Sequence, residues 1–215
     1  VYKRQVKYND YTLATLRNPW DTTKVLRTYI LTDKSKPQPS SLPQGTLVQV
    51  PLSRSLVYSS VHCSLLDELE AVNQIKGICD LSYISIPSIQ EGCRSGKITD
   101  AGNSMSPDIE KIIDMHPDAI LLSPYENSNG YGRIEKLNIP IIECADYMET
   151  SPLGRAEWMR FFGLLYGCEH KTDSLFAQVE KEYSDIKSKT SSLSERPSVF
   201  SELKIGSTWY VAGGN

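Results

Sequence analysis

Three histidines, five cysteines and two glycine-rich stretches are where this 215-residue sequence could carry chemistry. Residues 92–97 read Gly-Cys-Arg-Ser-Gly-Lys, the outline of a loop whose backbone amides cradle phosphates while a lysine reaches them. The spacing fails, because three residues rather than four separate the glycines and Ile98 stands where a magnesium-binding Ser or Thr belongs. Gly130-Tyr131-Gly132 is followed by Glu135 where a dinucleotide-binding turn needs its third glycine, and no Gly-x-Ser-x-Gly elbow occurs. Neutral imidazole is a common metal ligand, but His62, His116 and His170 share no ligand motif. His116, in a helix-terminal Met-His-Pro-Asp, and His170, in the polar start of a long helix, read as structural or solvated. His62 differs. It follows an apolar strand and opens a helix at the carboxyl edge of a sheet, where open α/β folds bind ligands. The cysteines, at 63, 79, 93, 144 and 168, form no Cys-x-x-Cys pair and read as small buried thiols. Cys79 and Cys93 are near enough in sequence for a loop-closing disulfide in an oxidising compartment, which spacing does not decide.

The elements that must position these groups follow from apolar periodicity. Residues 1–33 alternate like an antiparallel hairpin broken at Asn18-Pro19-Trp20-Asp21, and the Pro- and Ser-rich stretch 34–45 reads as a linker. From Thr46 short apolar runs (47–52, 56–60, 77–79, 119–123, 140–143) alternate with helical segments (63–73, 107–116, 132–137, 152–166), the signature of a mostly parallel, Rossmann-like sheet flanked by helices. Ser106-Pro107 and Ser151-Pro152 each place a capping hydroxyl before a proline at the first helical position. One long helix spans Cys168 to Arg196, and a strand and Gly-rich loop follow it. The expected organisation is an amino-terminal hairpin and linker (1–45), an α/β lobe (46–167), a connecting helix (168–196) and the start of a truncated second α/β lobe (197–215).

Composition excludes some classes. With 23 Lys and Arg against 26 Asp and Glu, the net charge of −3 offers no footprint for a phosphate backbone, so nucleic acid is not an expected partner. No apolar run approaches the roughly 18 residues of a membrane span. The opening residues lack the features of a signal peptide, which reads as either a cytoplasmic protein or a mature, trimmed form. Turns after the strands hold Ser59 and Ser60, Ser123 to Asn127 with Tyr125 and Glu126, and Glu143 to Tyr147. Their rings and hydroxyls suit a bulky organic ligand held by stacking and a few hydrogen bonds; the bland alternative has the serines capping helices and the tyrosines packing on loops.

This order of parts resembles the class III substrate-binding proteins of ABC importers, the family that captures siderophores, haem and cobalamin. Local motifs carry the likeness: Leu56-Val-Tyr-Ser-Ser-Val-His62, Asp100-Ala-Gly102, Ser106-Pro-Asp-Ile-Glu110 leading to Met115-His-Pro-Asp-Ala-Ile-Leu-Leu122, and residues 145–158, which look like the segment before the connecting helix in members from Bacteroidetes. The resemblance covers residues 46–215. It implies a non-enzymatic, periplasmic or lipid-anchored cell-envelope protein with no built-in cofactor and no metal or catalytic residue of its own. Its cargo would be an iron siderophore or haem, with cobalamin as the alternative, held between two lobes and delivered to a membrane permease. Ser59, Ser60, His62, Tyr125, Glu126, Tyr147 and Trp209 are the expected ligand contacts. Glu110 matches the first-lobe glutamate that docks on the permease, although a first-turn carboxylate is also favoured by about 0.3–1 kcal/mol for helix reasons alone. The membrane would be met only through a lipid anchor or the permease. The hairpin has no counterpart in the family core; it covers an edge strand or serves a partner. The rival readings are an α/β enzyme working at the same sheet edge and an interaction module using its first 45 residues as a strand-exchanging arm.

Overall fold

The computed structural model describes residues 3–126 and 130–195, together with 198, 204, 205 and 207–209. The amino-terminal region forms a four-stranded sheet in the order β1-β2-β3-β4, with β1 at Lys3–Lys7, β2 at Thr12–Arg17, β3 at Val25–Asp33 and β4 at Thr46–Val50. The first three strands run antiparallel, and β4 lies parallel to β3 after the Pro- and Ser-rich crossover. The sequence reading thus needs two corrections. The expected hairpin is a three-stranded ribbon, and the run beginning at Thr46 completes this sheet instead of opening the α/β sheet. An alternating five-residue strand satisfies either sheet equally, and only the pairing partner decides.

The second sheet is parallel throughout. It contains β5 (Ser55–Val57), β6 (Ile75–Ile78), β7 (Thr99–Asp100), β10 (Ala119–Leu122) and β11 (Ile141–Glu143), in the order β11-β10-β5-β6-β7. Between them lie α1 (Ser60–Glu68), α2 (Pro87–Arg94), the short pair β8 (Gly102–Asn103) and β9 (Ser106–Pro107), α3 (Ile109–Met115) and a 3-10 segment at Gly132–Leu137. Strands β5 and β10 are buried at every residue, as a sheet covered on both faces requires. Side chains alternate between two cores. Val57, Ala119 and Leu121 join the large cluster on one face; Leu56, Ile120 and Leu122 join a smaller one with Ile112 and Met115 of α3. Met115 packs so close to β6 that a Cβ at Gly77 would lie 2.6 Å from its thioether.

After β11 come α4 (Pro152–Ala156), α5 (Trp158–Tyr166) and α6 (Glu169–Ser191), and then the hairpin β12 (Lys204–Ile205) and β13 (Thr208–Trp209). Ser151 caps α4 as expected, its hydroxyl accepting from Gly154 N at 3.0 Å, but the helix read over 152–166 divides at Glu157. The other expected cap moves. Ser106-Pro107 is a strand, and Asp108 caps α3 by accepting from the amides of Glu110 and Lys111 at 3.1 Å each. A carboxylate at the cap satisfies two amides at once, which displaces the serine.

Helix α5 buries seven of its nine residues because it lies against both sheets, leaving Met159 and Arg160 partly open. Its Phe161 ring sits 6.1 Å from Tyr29 of β3, while the Tyr166 hydroxyl donates to Ser55 Oγ of β5 at 2.8 Å. The amino-terminal sheet therefore shares one core with the α/β unit: Ala14, Leu16, Tyr29 and Val48 belong to the same cluster as Trp158, Phe161 and Phe162. Helix α6, about 35 Å long, is anchored by Thr172 and Phe176, the latter carrying Arg160 at 4.3 Å over its ring. Beyond them Val179, Tyr183, Ile186 and Leu193 stand exposed at helical spacing on α6 and just past its end.

All five cysteines are free, so the Cys79–Cys93 bridge left open by the sequence is not formed. Burial pushes the Cys63 and Cys79 thiols up to about 12, with smaller additions from neighbouring Cys93 and Asp80 respectively, and lifts Cys144 well above the ordinary thiol range. Two outcomes follow from this packing. A Cβ at Gly163 would lie 2.3 Å from Thr172 Oγ1, so Gly163→Ala should cost about 1–3 kcal/mol in urea unfolding, although Gly to Ala inside a helix ordinarily gains about 1 kcal/mol; adding Thr172→Ala should recover most of the loss. In a disulfide-exchange titration at pH 8 the folded chain should expose Cys93 and Cys168 only, and denaturant should release Cys63, Cys79 and Cys144. Reaction of the buried three at the same rate as the other two would contradict this packing.

Candidate functional site

From β5 at the centre the chain winds outward through β6 to β7, then returns to β10 on the other side and continues to β11. The direction of winding reverses between β5 and β10. At such a switch point the loops leaving two neighbouring strands diverge to opposite faces and open a crevice beyond their carboxyl ends. The structure has a cavity of about 540 Å³ there. Tyr58 and Ser59 line it after β5, Leu122 at the end of β10, and Ser123 and Tyr125 beyond it. The β8–β9 turn supplies Ser104, Met105 and Ser106, and the segment after the crevice supplies Tyr131 and Arg133.

Several walls are held by identifiable bonds. Ser59 caps α1 by accepting from Val61 N at 3.3 Å, which turns the amino end of that helix toward the cavity. Tyr58 donates its backbone amide to Leu121 O at 3.0 Å, and its buried hydroxyl has no hydrogen-bond partner among the described residues. Burial, with lesser effects of Cys79 and Asp80, raises the Tyr58 phenol far above its usual range, so it stays protonated. The Tyr131 hydroxyl donates to Glu143 Oε1 at 2.6 Å, and Arg27 Nε of β3 donates to Oε2 of the same buried carboxylate at 2.7 Å. Asp80, with a left-handed backbone at φ 54°, accepts from Ser104 N at 3.1 Å and so holds the β8–β9 turn. Arg133 is exposed and makes no ion pair among the described residues. The chemical sum is aromatic faces, hydroxyls and one cationic group around an open crevice.

The sequence-predicted residues separate into groups. Ser59 and Tyr125 meet at the cavity. Ser60 is the half-buried first residue of α1, and Glu126 is exposed on the loop beyond Tyr125; neither forms its lining. Tyr147 lies behind the wall, its hydroxyl donating to Pro124 O at 2.6 Å, which steadies the strand-to-loop turn that carries Tyr125. Its phenol is raised by burial and by Asp146. Trp209 is placed on β13 opposite Lys204. Glu110 sits exposed in the first turn of α3. His62 requires correction: it is 2% exposed, and its Nε2 donates to Asp146 Oδ1 at 2.8 Å, since a carboxylate can only accept. Its ring packs 5.4 Å from Phe162, so the imidazole points into the core between α1 and α5. Tyr58, Tyr131 and Arg133 were missed. Tyr58 directly precedes Ser59 and Ser60, and Tyr131 and Arg133 lie within and just after the Gly130–Gly132 stretch, whose spacing points to no ligand by itself.

A family model described as "Periplasmic binding protein" matches residues 65–215. The chain belongs to that family. Among its relatives, an uncharacterized lipoprotein of Methanocaldococcus jannaschii is 30% identical to this binding protein over 174 residues, 75% of this chain and 42% of the relative. Of solved structures, the petrobactin-binding protein YclQ of Bacillus subtilis superposes with a TM-score of 0.55 at 18% identity, over 89% of this chain and 55% of that one. The siderophore-binding protein BauB, determined with two acinetobactin molecules and ferric iron, gives 0.55 at 18% identity over 90% and 56%. These likenesses agree with the mixed α/β architecture, parallel sheet and long helix α6 of this binding protein. The chain spans about half the length of the relatives it matches.

The correction at His62 has a measurable consequence. His62→Ala should lower stability by about 1–3 kcal/mol through the stranded Asp146 carboxylate alone, with the lost ring adding to it. Urea unfolding of His62→Ala that superimposes on wild type would contradict the buried pair.

Proposed function

We propose that this chain carries the first lobe of the substrate-binding component of an ABC importer, which captures an iron complex, a ferric siderophore or haem, in the crevice at the switch point. The carrying observation is the cavity itself: about 540 Å³, open, lined by Tyr58, Tyr125 and Tyr131 with hydroxyls and Arg133, a volume and lining suited to an organic chelate. Stacking on phenol rings holds a large planar or aryl-bearing ligand, and a guanidinium favours one with anionic oxygens. The family of periplasmic binding proteins supports this reading, as do relatives named for lipoproteins and solved neighbours named for siderophore binding. On the same reading the protein works in the cell envelope, bears no catalytic group and reaches the membrane through a lipid anchor or its permease.

A second lobe completes the picture. The apolar stripe Val179, Tyr183, Ile186 and Leu193 offers it a packing face, and the hairpin of β12 and β13, which follows α6 in the chain, begins it. Glu110, exposed on the outer side of α3, serves as the contact with the permease. Cobalamin is the competing cargo.

Native mass spectrometry of the full-length protein, with a visible absorption scan and metal analysis, tests the capture. Addition of a ferric siderophore or haem should add its mass and chromophore, and Tyr125→Ala should weaken binding by about tenfold, as loss of a stacking contact worth 1–3 kcal/mol implies. A mass unchanged by ferric siderophores, haem and cobalamin alike would sink the proposal.

A further inference from the structure

Strand β11 is the edge of the parallel sheet. Cys144 N just beyond it donates inward to Leu122 O at 2.8 Å, so the preceding amide, that of Glu143, points to the open side, as alternation along an extended chain dictates. There the fully buried Tyr29 of β3 meets it, its hydroxyl oxygen accepting at 2.8 Å. The Glu143 carboxylate is 4% exposed and takes its two strong donors from opposite directions: Arg27 Nε of the amino-terminal sheet at 2.7 Å and the Tyr131 hydroxyl at 2.6 Å. A carboxylate so buried is tolerated only when paired and hydrogen-bonded. Removing either donor unsettles the other.

We propose that the amino-terminal sheet is a brace for the cavity: Arg27 and Tyr29 hold Glu143, and Glu143 holds the Tyr131 ring in the cavity wall. The proposal rests on the reading of that cavity as a ligand site. Arg27 and Glu143 are positioning residues, because neither lines the cavity and both act through Tyr131. The brace fixes the ring before ligand arrives, which removes an ordering cost from binding. It also sets polarity. The Tyr131 hydrogen is committed to Glu143, so this hydroxyl does not donate to a ligand while the brace holds.

The test uses full-length protein with 3-fluorotyrosine at position 131, its fluorine resonance read without ligand, and the affinity for ferric 2,3-dihydroxybenzoate read by fluorescence quenching. Arg27→Met should move or broaden the resonance and weaken the probe by about fivefold, while Arg27→Lys, which keeps the charge, should recover part of both. In a Tyr131→Phe background, where the link is already cut, Arg27→Met should change affinity by less than about twofold, the coupling expected of residues in one network. An unmoved resonance in Arg27→Met, or equal weakening of the probe in both backgrounds, overturns the brace. A wild-type chain that binds no probe while the resonance still moves overturns the capture reading and supports the brace.

Discussion

Everything in this molecule follows from a parallel sheet that must be covered on both faces. Strands β5 and β10 expose no residue, so neither face can hold a ligand, and one edge is closed by the amino-terminal sheet. What remains open to solvent chemistry is the ends of the strands. Winding direction then selects among those ends, because only at the reversal between β5 and β10 do the outgoing loops part. The cavity is thus the place the covering helices cannot fill. The crevice is a geometric residue of burying the sheet, later furnished with tyrosines.

The sharing of one core by two sheets is the second organising fact. Helix α5 is the common wall, with Phe161 turned to Tyr29 and Tyr166 turned to Ser55. An apolar helix that touches sheets on two sides cannot be reached by removing either one without exposing rings to water, and each fully buried Phe or Leu is worth about 1.5–3 kcal/mol. The amino-terminal strands are therefore not an appendage of the α/β unit but part of its folding unit.

Much of this was legible in the sequence, for local reasons. The run Ala119–Leu122 is too short and too apolar to be anything but a buried strand, and Ser151-Pro152 carries its cap and its first helical turn in adjacent residues. Legibility ended where two distant segments had to choose each other. Thr46–Val50 alternates correctly for either sheet, and nothing near it says that β3 is the partner. Ser106 pairs in β9 with β8, and Asp108, two residues on, accepts from two amides as the cap of α3. His62 illustrates a different limit. His62 does lie just past a strand, but place along a chain does not give direction; with Cys63 and Leu66 it shares the buried side of α1, a periodicity legible in the sequence. The role of Tyr131 was not legible because it depends on Glu143 and Arg27, the latter 116 residues from the former.

The bond from Glu143 N to the Tyr29 hydroxyl has one more consequence. An open sheet edge is a template for polymerisation, since its free amides can recruit any extended chain. On the β11 side the phenol occupies the amide such a chain would need, and the Arg27–Glu143 ion pair beside it would have to be broken for a foreign strand to enter. On the far side β7 is only Thr99–Asp100, too short to template anything. The α/β sheet is thereby shielded from runaway self-association at both margins, by a capping ring at one and by brevity at the other.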